Sequence, residues 1–408
     1  MGSTCYVQVM HFTTRVLPRL SFLCGLALAG FACGSSSSTP TGSSGGGGSG
    51  GGHLGTGGTG GHDVVPTDPA CDAFAASLQS GIDAARDKQK VKHAALGVGT
   101  PRCGKIIVYS DAASATVKPT PESLWQIGSS TKTFIAATVL NLAEAGELGV
   151  DDALADYLPD FPNAENITLR QLLNHTSGIF DYLQTPEVTQ AVQAHPGSAV
   201  TADQLIAYAT AHPPNFEPGK GWAYSNTNFI ILGRVIEKAT GADLGETVRA
   251  RSIALAGLGH TFLASAEEPV GALVPGFQGG PEVTTLVNPT WFGTAGSMRS
   301  TVSDVLEWAE KLYGTDDVLS PAAKAEMTTT VATDVSYLRY GMGLVQWDAS
   351  KTAGNGVAYG HFGFVPGYQT EFLYHPETKV AIVALGADSD AVPHTFTKLV
   401  YDALPMLK

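Results

Sequence analysis

The apolar residues of this chain fall into two kinds of pattern. From Asp72 to Gln89 they recur at helical spacing, with Phe74, Leu78, Ile82 and Ala85 on one stripe. His93 to Thr100 and Lys105 to Tyr109 instead read as strands, and the turn Pro101-Arg-Cys-Gly104 between them makes an antiparallel hairpin. The far end of the chain mirrors the front. Gly356 to Tyr359, Gln369 to Tyr374 and Val380 to Leu385 are strand-like, the last two joined by the tight turn His375-Pro-Glu-Thr-Lys379, and a helix is predicted over Pro393 to Leu407. Between these ends the pattern is mostly helical: Leu169 to Leu173, Ala202 to Ala211, Asn228 to Ala239, Val302 to Leu312 and Pro321 to Thr328. The order predicts an α/β (α+β) fold. A five-stranded antiparallel sheet, flanked by N- and C-terminal helices, is interrupted by a large, mostly helical insertion. A cleft between the two parts is the expected place for a small-molecule site.

The first 66 residues follow neither pattern. Arg15 and Arg19 precede an apolar run of 13 residues, Leu20 to Ala32, too short to span a bilayer and read as the core of an export signal. A small residue, Ala32, before Cys33 and a Gly/Ser tract after it resemble a bacterial lipoprotein processing site, although Phe31 is bulkier than usual there; this predicts a signal over 1–33 with lipid on Cys33. Ordinary cleavage near Ala32 is the competing reading. Residues 34–66 are Ser, Gly and Thr with scattered His and Pro. They cannot bury enough apolar surface to offset chain entropy, and they read as a tether with a reach of about 30 Å. His53 and His62 in it have no carboxylate or Cys arranged for coordination, so no metal site is assigned. One folded body, 67–408, remains.

Composition narrows the partners. Of 408 residues 43% are hydrophobic and 15% charged, which suits a substantial core, and the net charge of −13 argues against a nucleic-acid or anionic-membrane surface. Cys5 and Cys24 leave with the signal, so Cys71 and Cys103 remain as an even pair in an oxidising compartment. A helix of about 27 Å and a return strand of about the same length bring Cys103 back to the level of Cys71. A disulfide between them is expected.

The candidate chemistry begins in Trp125-Gln-Ile-Gly-Ser-Ser-Thr-Lys-Thr-Phe134. Ile135, Val139 and Leu142 mark a helix over Lys132 to Glu147, which places Ser129 at its N-terminus, where unpaired N–H groups favour a developing negative charge. Lys132 stands one turn on, on the same face, and an amine in reach makes a hydroxyl nucleophilic. Alone, a polar capping turn explains the pair better. Two further motifs change this: Tyr224-Ser-Asn226 just before a helix, and Gly360-His361-Phe-Gly363 closing a strand. Ser129/Lys132 is the single Ser-x-x-Lys of the chain and Tyr224/Asn226 the single Tyr-x-Asn.

With these motifs in this order, the chain resembles the serine penicillin-recognising family, in the branch of class C β-lactamases, D-alanyl-D-alanine carboxypeptidases and related esterases. The resemblance spans roughly residues 70 to 405 and includes Leu172-Leu-Asn-His-Thr-Ser-Gly178, Ala295-Gly-Ser-Met-Arg-Ser-Thr301, Tyr340-Gly-Met-Gly343 and Tyr359-Gly-His-Phe-Gly-Phe-Val-Pro-Gly-Tyr368. It implies a β-lactamase/transpeptidase-like fold. Ser129 would form an acyl-enzyme, Lys132 and Tyr224 would share base duty, and Asn226 would hold Lys132 and the substrate amide. His361 stands where many relatives carry a lysine. The backbone N–H groups of Ser129 and Phe364 would form the oxyanion hole, and Trp291, Phe362 and Gly363 would line the substrate pocket. His175 belongs to a structural turn, and no acidic residue stands out as a separate deacylating base. The resemblance implies no cofactor, a small-molecule or peptide substrate that could be a peptidoglycan stem peptide, and a monomer. The export signal and Cys33 predict an exported protein, an outer-membrane lipoprotein or else periplasmic or extracellular.

Other classes fit less well. A metallo-hydrolase needs a His-x-His-x-Asp-His cluster that the sequence lacks, and a Ser-His-Asp hydrolase lacks its nucleophile elbow in the folded part. A non-catalytic ligand-binding lipoprotein on the same fold is the alternative. On substrate, Phe362 and Phe364 stand where carboxypeptidase relatives carry threonines, and Val345 stands at the place of their carboxylate-binding arginine. Weak carboxypeptidase and penicillinase activity is therefore expected, with better turnover of uncharged esters or amides, unless Lys351 or Arg299 supplies the missing charge.

Overall fold

The computed structural model of the protein describes residues 68–408; the predicted signal, the tether and Cys33 lie outside the described residues. Helix α1 (Pro69–Gln89) opens on Asp68, whose carboxylate accepts the Ala70 N–H at 2.9 Å, with Pro69 in its first turn. Strands β1 (His93–Thr100) and β2 (Gly104–Asp111) form the predicted hairpin. A short strand, β3 (Trp125–Gln126), leads through a 3-10 turn at Gly128–Ser130 into the central helix α2 (Thr131–Glu144). The insertion continues with α3 (Leu169–Leu173), α4 (Pro186–Ala194), α5 (Ala202–Thr210), α6 (Asn226–Thr240) and α7 (Leu244–Val248). Local sequence starts several of these. Thr168 with Gln171 and Thr201 with Gln204 form reciprocal capping boxes, and Thr185 caps α4 directly before Pro186.

Strand β4 (Phe262–Leu263), helix α8 (Gly293–Gly296), strand β5 (Met298–Ser300) and helices α9 (Val302–Gly314) and α10 (Pro321–Met327) complete the middle. The chain then returns to the sheet through β6 (Val331–Ala332), β7 (Leu338–Tyr340), β8 (Val345–Trp347), β9 (Ala358–Val365), β10 (Tyr368–His375) and β11 (Val380–Gly386), and ends in α11 (Pro393–Ala403). The sheet order is β2-β1-β11-β10-β9-β8-β7-β6, antiparallel at every junction. Strands β1 and β11 are buried along their whole length, because α1 and α11 pack on one face and α9 on the other. Gly97 lets α9 come close: a Cβ there would lie 3.1 Å from Val302 Cγ1.

The sheet has eight strands, not five. The three extra ones are two or three residues long, too short to show an alternating pattern in sequence. Strand β9 begins at Ala358 and runs through Val365, so the Gly360 to Gly363 motif expected to close a strand lies inside it. A glycine inside a strand marks the close approach of another backbone, and that is the case at Gly363. A separate small sheet, β3-β5-β4, was not expected, nor were α4 and α7. The disulfide between Cys71 and Cys103 is present, with the two Cα atoms 5.6 Å apart, and ties the first turn of α1 to the β1–β2 turn.

Helix α2 is the axis of the larger core. Its residues from Thr131 to Leu140 are all buried, so it lacks the polar face of a surface helix. Phe134 stacks on Trp308 of α9 at 3.8 Å, and the Trp308 indole N–H donates to Thr133 Oγ1 at 2.8 Å.

Candidate active site

Strand β8 pairs with β9 only over residues 358–360, so beyond that point the outer edge of β9 has no strand beside it. The Gly128–Ser130 turn occupies this edge. Gly128 has φ of +52°, and a Cβ there would fall 2.6 Å from Phe364 N. A Cβ on Gly363 would fall 2.0 Å from the Ile127 carbonyl oxygen and 3.1 Å from Ser129 N. Two glycines thus bring the backbones of Ser129 and Phe364 together with no side chain between them. The turn is pinned from behind, since Thr131 Oγ1 donates to Gly128 O at 2.6 Å and accepts the Met298 N–H at 3.1 Å.

Ser129 is half-buried, and one helical turn on, the Lys132 side chain is completely enclosed. Lys132 Nζ donates to Asn226 Oδ1 at 2.8 Å and to the Ala295 carbonyl at 2.7 Å, and lies 3.0 Å from Ser129 Oγ. Its remaining neighbours are aromatic rings, Tyr224 at 4.9 Å and Phe229 at 5.4 Å. Burial therefore lowers its pKa to about 7, against the opposing pull of Asp181. A neutral amine has two hydrogens and one lone pair. With both hydrogens held by Asn226 and Ala295, the lone pair faces Ser129.

The Tyr224 ring lies 4.3 Å from His175 and its hydroxyl is buried without a completed hydrogen bond. Burial raises its pKa strongly, Ser129 partly opposes this, and Asp181 raises it further, so the phenol is neutral at physiological pH. Asn226 opens α6 and donates from Nδ2 to Asp181 Oδ2 at 3.0 Å. His361 is fully buried, with Nε2 2.9 Å from the Tyr340 hydroxyl and Nδ1 2.5 Å from the Phe362 carbonyl. Burial, then the nearby Lys132, push its pKa down to about 3. It is a buried, neutral imidazole whose ring centroid lies 6.4 Å from that of Tyr224.

Trp291 is buried among the core residues. Its ring is in the main core, its indole N–H donates to Ser198 O at 3.0 Å, and its carbonyl accepts the Tyr182 hydroxyl at 2.6 Å. Phe362 is half-buried and meets Trp347 edge to face at 6.5 Å. Val345 is buried at 1% exposure, so its position offers a ligand no surface. Burial lowers the Arg299 pKa, against the opposing pull of Tyr368 and Glu268, and the Lys351 amine lies 4.1 Å over the Tyr337 ring. His175 is a core residue whose Nδ1 accepts the Ser225 N–H at 3.2 Å. Among the described residues no group of His, Cys, Asp and Glu is arranged to hold a metal.

Asp181 was missed by sequence reasoning. The signal was present, since Ile179-Phe-Asp-Tyr182 puts a lone acid in an apolar stretch directly after the structural turn. Such an acid is rarely buried without a partner.

The arrangement of a Ser-x-x-Lys pair, a tyrosine and an asparagine against a strand edge can be set beside known proteins. A sequence profile described as Beta-lactamase matches residues 82–399. The chain belongs to the beta-lactamase family. It is 28% identical to a penicillin-binding protein of Bacillus subtilis over 64% of this chain, spanning only 60% of that protein. Penicillin-binding protein 4 of Amycolatopsis lactamdurans is 29% identical over 81% of this chain and 89% of its own length. Among solved structures, a D-stereospecific amidohydrolase from Streptomyces sp. aligns with a TM-score of 0.70 at 29% identity, covering 79% of this chain and 97% of the other. This beta-lactamase family member therefore carries the fold of a serine hydrolase family over nearly all of its described residues.

Proposed function

We propose that the protein hydrolyses amides or esters through an acyl-enzyme on Ser129. The observation that carries this is the Lys132 amine, 3.0 Å from Ser129 Oγ, with both other polar contacts already taken. Neutral Lys132 accepts the Ser129 proton as Oγ attacks the substrate carbonyl. The oxyanion forms against the N–H groups of Ser129 and Phe364. On collapse the bond to the leaving group breaks. The Tyr224 phenol passes its proton to that group and is refilled from the Lys132 ammonium. In the second half water gives a proton to the same amine, attacks the acyl carbon and releases the acid, and Ser129 regains its proton. The sum is amide or ester plus water giving acid plus amine or alcohol. Tyr224 acts here as a relay and not as a phenolate, because its pKa is raised and not lowered.

The preferred substrate is an uncharged amide or ester. Phe362 on the strand edge and buried Val345 give a terminal carboxylate no charge-assisted partner, each worth about 1.5–3 kcal/mol. The Streptomyces relative, an amidohydrolase acting D-stereospecifically, supports a D-configured amide as the first compound to try. The test has two parts. A fluorophosphonate probe should label the wild type on Ser129 and leave Ser129→Ala unlabelled. Then kcat/KM for a D-Ala-D-Ala peptide is compared with that for its C-terminal amide. Turnover by Ser129→Ala would refute the acyl-enzyme, and a strong preference for the free acid would refute the substrate reading.

A further inference from the structure

We propose that Asp181 is a positioning residue of this reaction: through Asn226 it fixes the orientation of Lys132, and it serves as the buried counter-charge of the Lys132 ammonium. The inference rests on the reading above, in which Lys132 takes the Ser129 proton.

Asp181 is 1% exposed and forms no ion pair among the described residues. Its Oδ1 accepts the Leu183 N–H at 3.1 Å, its Oδ2 accepts Asn226 Nδ2–H at 3.0 Å, and the Asn226 backbone N–H also reaches it. An ionised carboxylate can only accept. Asn226 must therefore turn its NH2 toward Asp181, which leaves Oδ1 as the atom that meets Lys132, at 2.8 Å. A flipped Asn226 would set an N–H against the amine, and one amine hydrogen would then compete for Ser129. The lone pair reaches Ser129 only while Asp181 holds the amide in place.

The titratable groups facing Lys132 are Tyr224, His175 and His361, with Tyr340 behind them, and Tyr182 faces Asp181. Burial keeps both imidazoles and all three phenols neutral. Among the described residues Asp181 is then the one charge near the amine. Burial raises its carboxyl only to about 6, so it is ionised where Lys132 titrates, and it holds the amine's pKa above the level that burial alone would set.

Asp181 also caps the short turn Tyr182–Gln184, and a cap alone would affect stability without touching the pH profile. Asp181→Asn separates the two, because asparagine caps as well as aspartate and carries no charge. The measurement is the second-order rate of fluorophosphonate labelling, mapped to Ser129, as a function of pH. In Asp181→Asn the acid limb should move down by about one pH unit, a gain of about tenfold relative to its own plateau on the acid side. The plateau itself should fall, since the Asn226 amide is no longer held one way round. Asp181→Ser, which also caps without a charge, should move the limb the same way, and it carries the test if Asp181→Asn does not fold. A limb unmoved in whichever variant folds, with only a lower melting temperature, makes Asp181 a cap and overturns the inference while the acyl-enzyme stands. A wild type that is not labelled on Ser129 overturns both.

Discussion

Lys132 exchanges the hydration of an exposed ammonium for one amide oxygen, one carbonyl and one hydroxyl. Three acceptors do not replace bulk water, so the charged form is disfavoured and the pKa falls to about 7. The sign follows directly. Only the neutral amine can take the Ser129 proton, so activity is present above the limb and is lost as pH falls through it. For an uncharged ester, kcat/KM should fall about tenfold for each pH unit below the limb. Measured over about pH 5 to pH 9, a profile that stays flat down to about pH 5 would mean that a group of lower pKa accepts the proton. His361 does not supply that limb, because its imidazole is already neutral across the whole range.

At the scale of elements, the N-terminal helix bears on the sheet through Phe74, Leu78 and Ile82 and is tied down at its start by the Cys71–Cys103 bridge. The Arg102–Asp68 ion pair at the same end is partly exposed and worth little. The bridge spans 32 positions, so its chain-entropy contribution is about 3 kcal/mol. Cys103→Ser should lower the urea midpoint accordingly and steepen the transition slope, because the unlinked denatured chain exposes more surface. A loss below about 1 kcal/mol would show that helix packing alone holds this end. The strand edge is the other element that matters. β8 ends its pairing with β9 at Gly360, and that early end leaves room for the Ser129 turn to lie against Gly363.

For the whole molecule, we propose that the hydrolase body works outside the cytoplasm on a lipid anchor at Cys33, joined by the Gly/Ser-rich tether. Protein isolated from membranes should carry lipid on Cys33, read by mass spectrometry of the N-terminal peptide, and Cys33→Ser should release it in soluble form. An unmodified N-terminus beyond Cys33 would count against the anchor. Sequence alone determined the element types at both ends of the chain, the pairing of Cys71 with Cys103, and the place of Lys132 one turn beyond Ser129. Those are local matters, in which periodicity, capping and helix pitch need no distant partner. Only the tertiary structure decided that three short strands extend the sheet, that Trp291 is core, and that His361 is buried. It also brought Asp181, 45 positions before Asn226, into hydrogen-bond contact with it. The reason is physical: burial and long-range hydrogen bonds set the charge of Lys132, and neither is written in the spacing of residues along the chain.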